Sequence, residues 1–173
     1  PVVFESAQVA YVASTFDSTN GKVVISYQDY ENSYYGTAVV LSTTGFSVHQ
    51  LGSPTLFQSS ATYNPSAAYD SSNNKVVIAY RNSSSDGKAI VGEVSGTGIT
   101  FGTPVTFDTS VNTISATFDS TNNRVVIAYS DGANNTRGTA IVGQVSGTSI
   151  NFGTPEPFAS NANSFFINAT FDS

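Results

Sequence analysis

The chain has 173 residues, and its recurring segments leave no room for a second, unrelated domain. Only 10% of residues are charged, against roughly a quarter in an average soluble protein, so Ser, Thr, Asn and Gly must carry the surface. A net charge of −6 without any Lys/Arg cluster argues against nucleic acid and anionic membranes, and zero Cys excludes a disulfide framework and thiol–metal sites.

The opening residues, Pro1-Val2-Val3-Phe4, match Pro104-Val105-Thr106-Phe107 and Pro155-Glu156-Pro157-Phe158 farther along. Residues 1–4 therefore read as the end of a preceding repeat. Phe16-Asp17-Ser18, Tyr69-Asp70-Ser71, Phe118-Asp119-Ser120 and Phe171-Asp172-Ser173 recur at spacings of 53, 49 and 53. Behind the first three comes one apolar run, written Val23-Val24-Ile25-Ser26-Tyr27, Val76-Val77-Ile78-Ala79-Tyr80 and Val125-Val126-Ile127-Ala128-Tyr129. Repeat 1 is thus 5–57, repeat 2 is 58–107, repeat 3 is 108–158, and 159–173 start a further one. The whole reads as a piece of a longer repetitive polypeptide. Such a period marks a supersecondary unit that cannot bury its own apolar faces and must stack on its neighbours.

Within repeat 3, residues 114–119 alternate and read as a strand, and Ser120-Thr121-Asn122-Asn123 is a turn cluster that Asp119 can cap. Residues 124–129 form a β-branched run suited to a strand covered on both faces. Residues 130–137 differ in every copy and read as a loop, followed by a third strand over 138–146. Gly147-Thr148 supplies a hairpin turn, and a fourth strand over 149–158 is broken at Gly153-Thr154-Pro155, which places it at a sheet edge. No segment carries a helical period. Four antiparallel strands in about 51 residues, with small Ala13, Ser14, Ala67, Ala68, Ser115 and Ala116 on the first, predict an all-β fold of propeller blades. Three full blades and partial blades at both ends are expected. An open stack of sheets without ring closure is the alternative.

Asn64-Pro65-Ser66-Ala67-Ala68-Tyr69-Asp70, then residues 75–80, then Ile99-Thr100-Phe101-Gly102-Thr103-Pro104 resemble a blade of the sialidase-like (BNR-type) propellers and the repeats of long extracellular and phage tail-fibre proteins. The resemblance implies an extracellular, cell-surface or virion setting. The chain departs from the sialidases where their chemistry lies. It has no Trp, Ser130-Asp131-Gly132 does not fit the Asp-box, and Arg81, Arg124 and Arg137 are its only arginines. No catalytic residue carries over.

The residues themselves specify no catalytic constellation, no metal centre and no cofactor. Asp17, Asp70, Asp119 and Asp172 invite a calcium reading, but each is placed to cap the turn that follows. His49 is the only His and aligns with Ile99 and Ile150; it has no nucleophile or paired carboxylate motif. The tyrosine of each apolar run is core, with its hydroxyl reaching a partner at the rim. Ligand contacts are expected in the variable loops, from Asp29, Tyr30, Glu31, Asn32, Tyr34 and Tyr35 in repeat 1 and from Asp131 and Arg137 in repeat 3. Aromatic faces beside carboxylates and an amide suit a sugar ring and its hydroxyls. Asn82, Asn134 and Asn168 fit the N-glycosylation pattern. The expected function is a non-catalytic module for adhesion or glycan binding within a larger surface or fibre protein. Its partners would be surface polysaccharides and further copies of itself or the rest of its parent chain. The alternative is a self-assembling subunit of an extracellular filament.

Overall fold

A computed structural model describes residues 2–159 and 164–172. Pro1 of the opening motif, residues 160–163 of the last partial repeat and Ser173 of its Phe-Asp-Ser triplet lie outside the described residues. The described residues contain fourteen strands. They are β1 (Val9–Asp17), β2 (Lys22–Asp29), β3 (Tyr35–Thr44), β4 (Ser47–Leu51), β5 (Thr55–Asp70), β6 (Lys75–Asn82), β7 (Gly87–Ser95), β8 (Gly98–Phe101), β9 (Val105–Asp108), β10 (Val111–Asp119), β11 (Arg124–Asp131), β12 (Arg137–Ser146), β13 (Ser149–Phe152) and β14 (Glu156–Pro157). The one helical element is a 3-10 turn over Gly132–Asn134, and no helix among the described residues is long and apolar enough to cross a membrane.

The protein is all-β and antiparallel: a nine-stranded sheet runs from β1 to β9 and a five-stranded sheet from β10 to β14. The large sheet is continuous because β5 serves two repeats. Its first half, from Thr55 to Ala61, pairs with β3 as an outer strand, and its second half, from Thr62 to Asp70, pairs with β6 as an inner strand. Each repeat therefore contributes the same order of strands, with an inner strand, two central strands and an edge. The edge is split at Gly52-Ser53-Pro54, Gly102-Thr103-Pro104 and Gly153-Thr154-Pro155, since Pro cannot donate to a ladder.

Several strands extend past the limits expected from sequence. The inner strand of repeat 3 begins at Val111, because a bulge lets it stay paired beyond the polar Asn112-Thr113. The second strand continues to Asp131, where the loop begins. His49 is not the counterpart of Ile99 and Ile150. It is the extra residue of a bulge, and Val48 partners Thr43 as Ile99 partners Val94. The slip leaves His49 exposed.

Strand alternation turns successive side chains to opposite faces; β6 and β7 of repeat 2 are covered on both, while one face of β12 is left open at Val142 and Gln144. Val24, Ala38 and Val40 of repeat 1 pack on Val76, Ile78, Ile90 and Ile99 of repeat 2. Val77, Ala89 and Val91 of repeat 2 pack on Val125, Ile127, Ile141 and Ile150 of repeat 3. One joint is thus used twice, a face of small residues against the bulkier face of the next repeat. Each joint is pinned by a T-shaped aromatic pair from successive repeats: Phe4–Tyr27 at 5.4 Å, Phe57–Tyr80 at 5.2 Å and Phe107–Tyr129 at 5.3 Å.

The residue after each phenylalanine receives the tyrosine hydroxyl. Tyr27 donates to Glu5 Oε2 (3.3 Å), Tyr80 to Gln58 Oε1 (2.9 Å) and Tyr129 to Asp108 Oδ2. Burial pushes all three phenols well above their ordinary value, and the acceptor carboxylates add to this at Tyr27 and Tyr129. A raised phenol adds stability that is present below pH ~10 and is lost as pH climbs through the folded-state value. Three of the nine tyrosines are therefore expected to ionise only as the sheet signal collapses in alkali. Parallel phenolate absorbance and circular dichroism check this; smooth ionisation of all nine with the sheet intact contradicts it.

The recurring aspartates close the turns between inner and second strands. Asp70 Oδ1 accepts from the backbone N–H of Ser72 and Asn73, both at 3.0 Å, and its Oδ2 accepts from Asn73 Nδ2 at 2.8 Å. Asp17 and Asp119 repeat this set with Asn20 and Asn122. Hydrogen bonds from Asn122, its side chain first, hold the exposed Asp119 carboxyl below its ordinary value. Asp70→Ala strands two backbone donors and is expected to cost about 1–3 kcal/mol, measured by urea unfolding.

Candidate functional site: the loop face and an axial pocket

The β2–β3, β6–β7 and β11–β12 loops lie at the end of the molecule where the inner strands begin. The Tyr30 N–H donates to Gln8 O, just ahead of β1. Each loop also reaches forward to the next repeat. Tyr34 O accepts from Thr62 N (3.0 Å), Ser85 O from Val111 N (2.8 Å) and Thr136 O from Ser164 N (2.9 Å). These three acceptors sit in the left-handed region, with φ of 65°, 69° and 54°. The loops differ in composition, yet each ends on a residue bent to stitch one repeat to the next.

The geometry sorts the candidate ligand residues by exposure. Asp29 and Asp131 are buried, and their carboxylates serve their own loops. Asp29 Oδ1 accepts from Asn32 N (3.2 Å), and Asp131 Oδ1 accepts from Ala133 N (3.0 Å) and Asn134 N (3.1 Å). Burial, then the Asp108 carboxylate, pushes the Asp131 carboxyl above its ordinary value. Tyr35 is half-buried and pairs with Ala61, and Arg137 is half-buried at the start of β12. Glu31, Asn32 and Tyr34 are exposed, and Tyr30 meets Tyr34 edge to face at 4.9 Å. Repeat 2 stands between this loop and the Asp131–Arg137 loop.

The three sequons also differ. The Asn82 side chain is buried and fully engaged, accepting from Ser84 N (2.9 Å) and Asp86 N (2.8 Å) and donating to Asp86 Oδ2 (3.0 Å). Asn134 is half-buried in the 3-10 turn, and Asn168 is exposed.

A pocket of about 320 Å³ opens beside these loops, lined by Tyr11 and Val12, Asn64 and Pro65, Thr113 and Ile114, and Phe166 to Asn168. These are equivalent positions of four successive repeats, converging on one cavity. A bulge with one extra residue in each inner strand turns them inward, between Ala10 and Ala13, Tyr63 and Ser66, and Val111 and Ile114. Side chains of one inner strand also tie down the next: Ser66 Oγ accepts from Ala116 N and Ser115 Oγ from Ala169 N, each at 2.9 Å. Next to the pocket, Tyr11 meets Tyr63 at 6.1 Å, and the Arg81 guanidinium lies 4.5 Å above the Tyr63 ring. Sequence reasoning missed this site. Aligning the repeats on Asp17, Asp70, Asp119 and Asp172 shows the signal: six and seven residues ahead of each Asp, the inner strand varies freely, reading Tyr, Asn, Thr and Phe at the nearer position.

Among the described residues no group of three or more His, Asp or Glu side chains is placed to hold a metal ion. No family model, no curated protein and no solved structure matches the chain.

Proposed function

We propose that this chain is a non-catalytic binding module that presents its loop face to surface glycans, as a part of an extracellular or virion adhesion protein. The observation that carries the reading is the convergence of loops and inner-strand bulges on one face. That face offers exposed aromatic rings beside amides and a carboxylate. The three repeats are, in this reading, blades of a β-propeller. The twice-used joint and the four equivalent positions around one cavity support that geometry. Single sites built from a few loop side chains bind weakly, and repetition supplies avidity. A glycan array probed with the intact protein tests this. Binding to at least one neutral or surface polysaccharide class is expected; silence across the array overturns it.

A second reading is a subunit that adds head to tail. It draws on Val142, 46% exposed, where its counterparts Val40 and Val91 are 1% exposed. Electron microscopy of concentrated protein separates the two: filaments with a regular axial repeat favour the second.

A further inference from the structure

The inner-strand bulge of repeat 1 puts a bulky aromatic residue, Tyr11, into the left-handed region. Its φ is 49°, a region where Cβ crowds the carbonyl and where bulky residues are outliers. Tyr34, Ser85 and Thr136 each take such a φ to offer a carbonyl to the next repeat. Tyr11 forms no such stitch. In repeat 2 its place is held by Asn64, at φ 48°, a residue that tolerates this conformation, and in repeat 3 Thr113 stays out of the region. The bulge therefore needs no tyrosine, and strain held at one position points to use rather than to folding.

The ring is placed for use. It is 47% exposed and forms a wall of the axial pocket. It is braced edge-on by Tyr63, which is itself clamped under Arg81. The remaining wall is apolar (Val12, Pro65, Ile114), with the amides of Asn64 and Asn168 at its border. Asn64 Nδ2 donates to Asn112 O at 2.8 Å, which fixes that amide. The lining holds no ionised side chain, so an anionic or cationic ligand would enter without a counter-charge. A ring with one apolar face and a hydroxylated edge matches it, and the volume is at the lower end of small-molecule sites.

We propose that the axial pocket is a subsite for the neutral end of an oligosaccharide, with Tyr11 as its stacking platform. This deepens the glycan-binding reading by naming its site and its ligand class.

The experiment titrates the full chain with neutral cello-, manno- and chito-oligosaccharides and with a sialylated oligosaccharide, by calorimetry. It compares the native protein, Tyr11→Asn, and the loop variant Tyr30→Ala/Glu31→Ala. Tyr11→Asn installs the residue repeat 2 already uses, so its melting temperature is expected to hold or rise while affinity for the neutral ligand falls at least tenfold. The sialylated probe is expected to bind no more tightly than the neutral ones. Neutral binding that survives Tyr11→Asn but is lost in the loop variant overturns this subsite and leaves the glycan-binding reading standing. Absence of binding by every probe overturns both. A fall in melting temperature in Tyr11→Asn overturns the argument from strain.

Discussion

Adding one methyl group at Gly102 is expected to destabilise the protein by about 3 kcal/mol, and the same methyl at Gly153 is expected to change almost nothing. The two glycines hold equivalent places, each at the split of an edge strand. Each donates its N–H to the third strand, Gly102 to Val91 O (2.9 Å) and Gly153 to Val142 O (3.0 Å). They differ in what lies across from them. A Cβ at Gly102 would fall on the Thr148 carbonyl oxygen and within 3.0 Å of its carbonyl carbon, from the hairpin turn of repeat 3. At Gly153 the nearest atom is 3.8 Å away and belongs to its own repeat. Gly52 matches Gly102, with Thr97 of repeat 2 against it. Backbone meeting backbone cannot be relieved by a rotamer change, so the repeats themselves must separate. For a chain of this size the loss amounts to roughly 6–12 °C in Tm. Thermal unfolding of Gly102→Ala and Gly153→Ala, followed by circular dichroism, measures the difference. Equal midpoints would mean that the edges do not interlock.

Phe107→Ala is expected to cost about 3–5 kcal/mol, the range for emptying a buried aromatic site. Phe107 is 7% exposed, packs edge-on to Tyr129 and lies 5.7 Å from Phe152. It comes from the edge strand of repeat 2 but sits on the bulkier face of repeat 3, so its removal weakens a joint more than a repeat. Stability in such arrays is close to a sum of repeat and nearest-neighbour terms. Repeat 3 should therefore lose hydrogen-exchange protection first, with repeat 1 little changed. Phe46→Ala, at a fully exposed turn, is the control and should stay within about 0.5 kcal/mol of the native protein. Uniform loss of protection across all three repeats would argue that the chain unfolds as one unit.

What could be read from the sequence is what local chemistry dictates. The Asp-capped turns, the doubly covered apolar runs, the interruption at Gly-Thr-Pro and the rim partner of each tyrosine hydroxyl all follow from residue type and period. The structure shows the capped turns, the interruption and the rim partners in all three repeats, and covers the whole apolar run in repeat 2. Errors came where one residue too many enters a strand. The bulge opposite Ser42 and Thr43 shifted the alignment of His49, and the bulges in the inner strands left no mark on the hydrophobic pattern. The burial of the loop carboxylates was hidden for a related reason. Asp29 and Asp131 look solvent-facing in a polar segment, yet unsatisfied N–H groups of the loop draw them inward. The axial pocket was beyond reach because its walls come from residues about fifty positions apart, and only the curvature of the array brings them together.

The twice-used joint also bears on how such a chain changes over generations. Every repeat shows one surface to the copy before it and the complementary surface to the copy after it, so deleting or duplicating a whole unit leaves every remaining contact properly matched. Recombination between near-identical stretches can then lengthen or shorten the array without inventing a new core. Each such event reassorts which side chains line the shared cavity, and Tyr11, Asn64, Thr113 and Phe166 become interchangeable cards in a hand that selection can redeal.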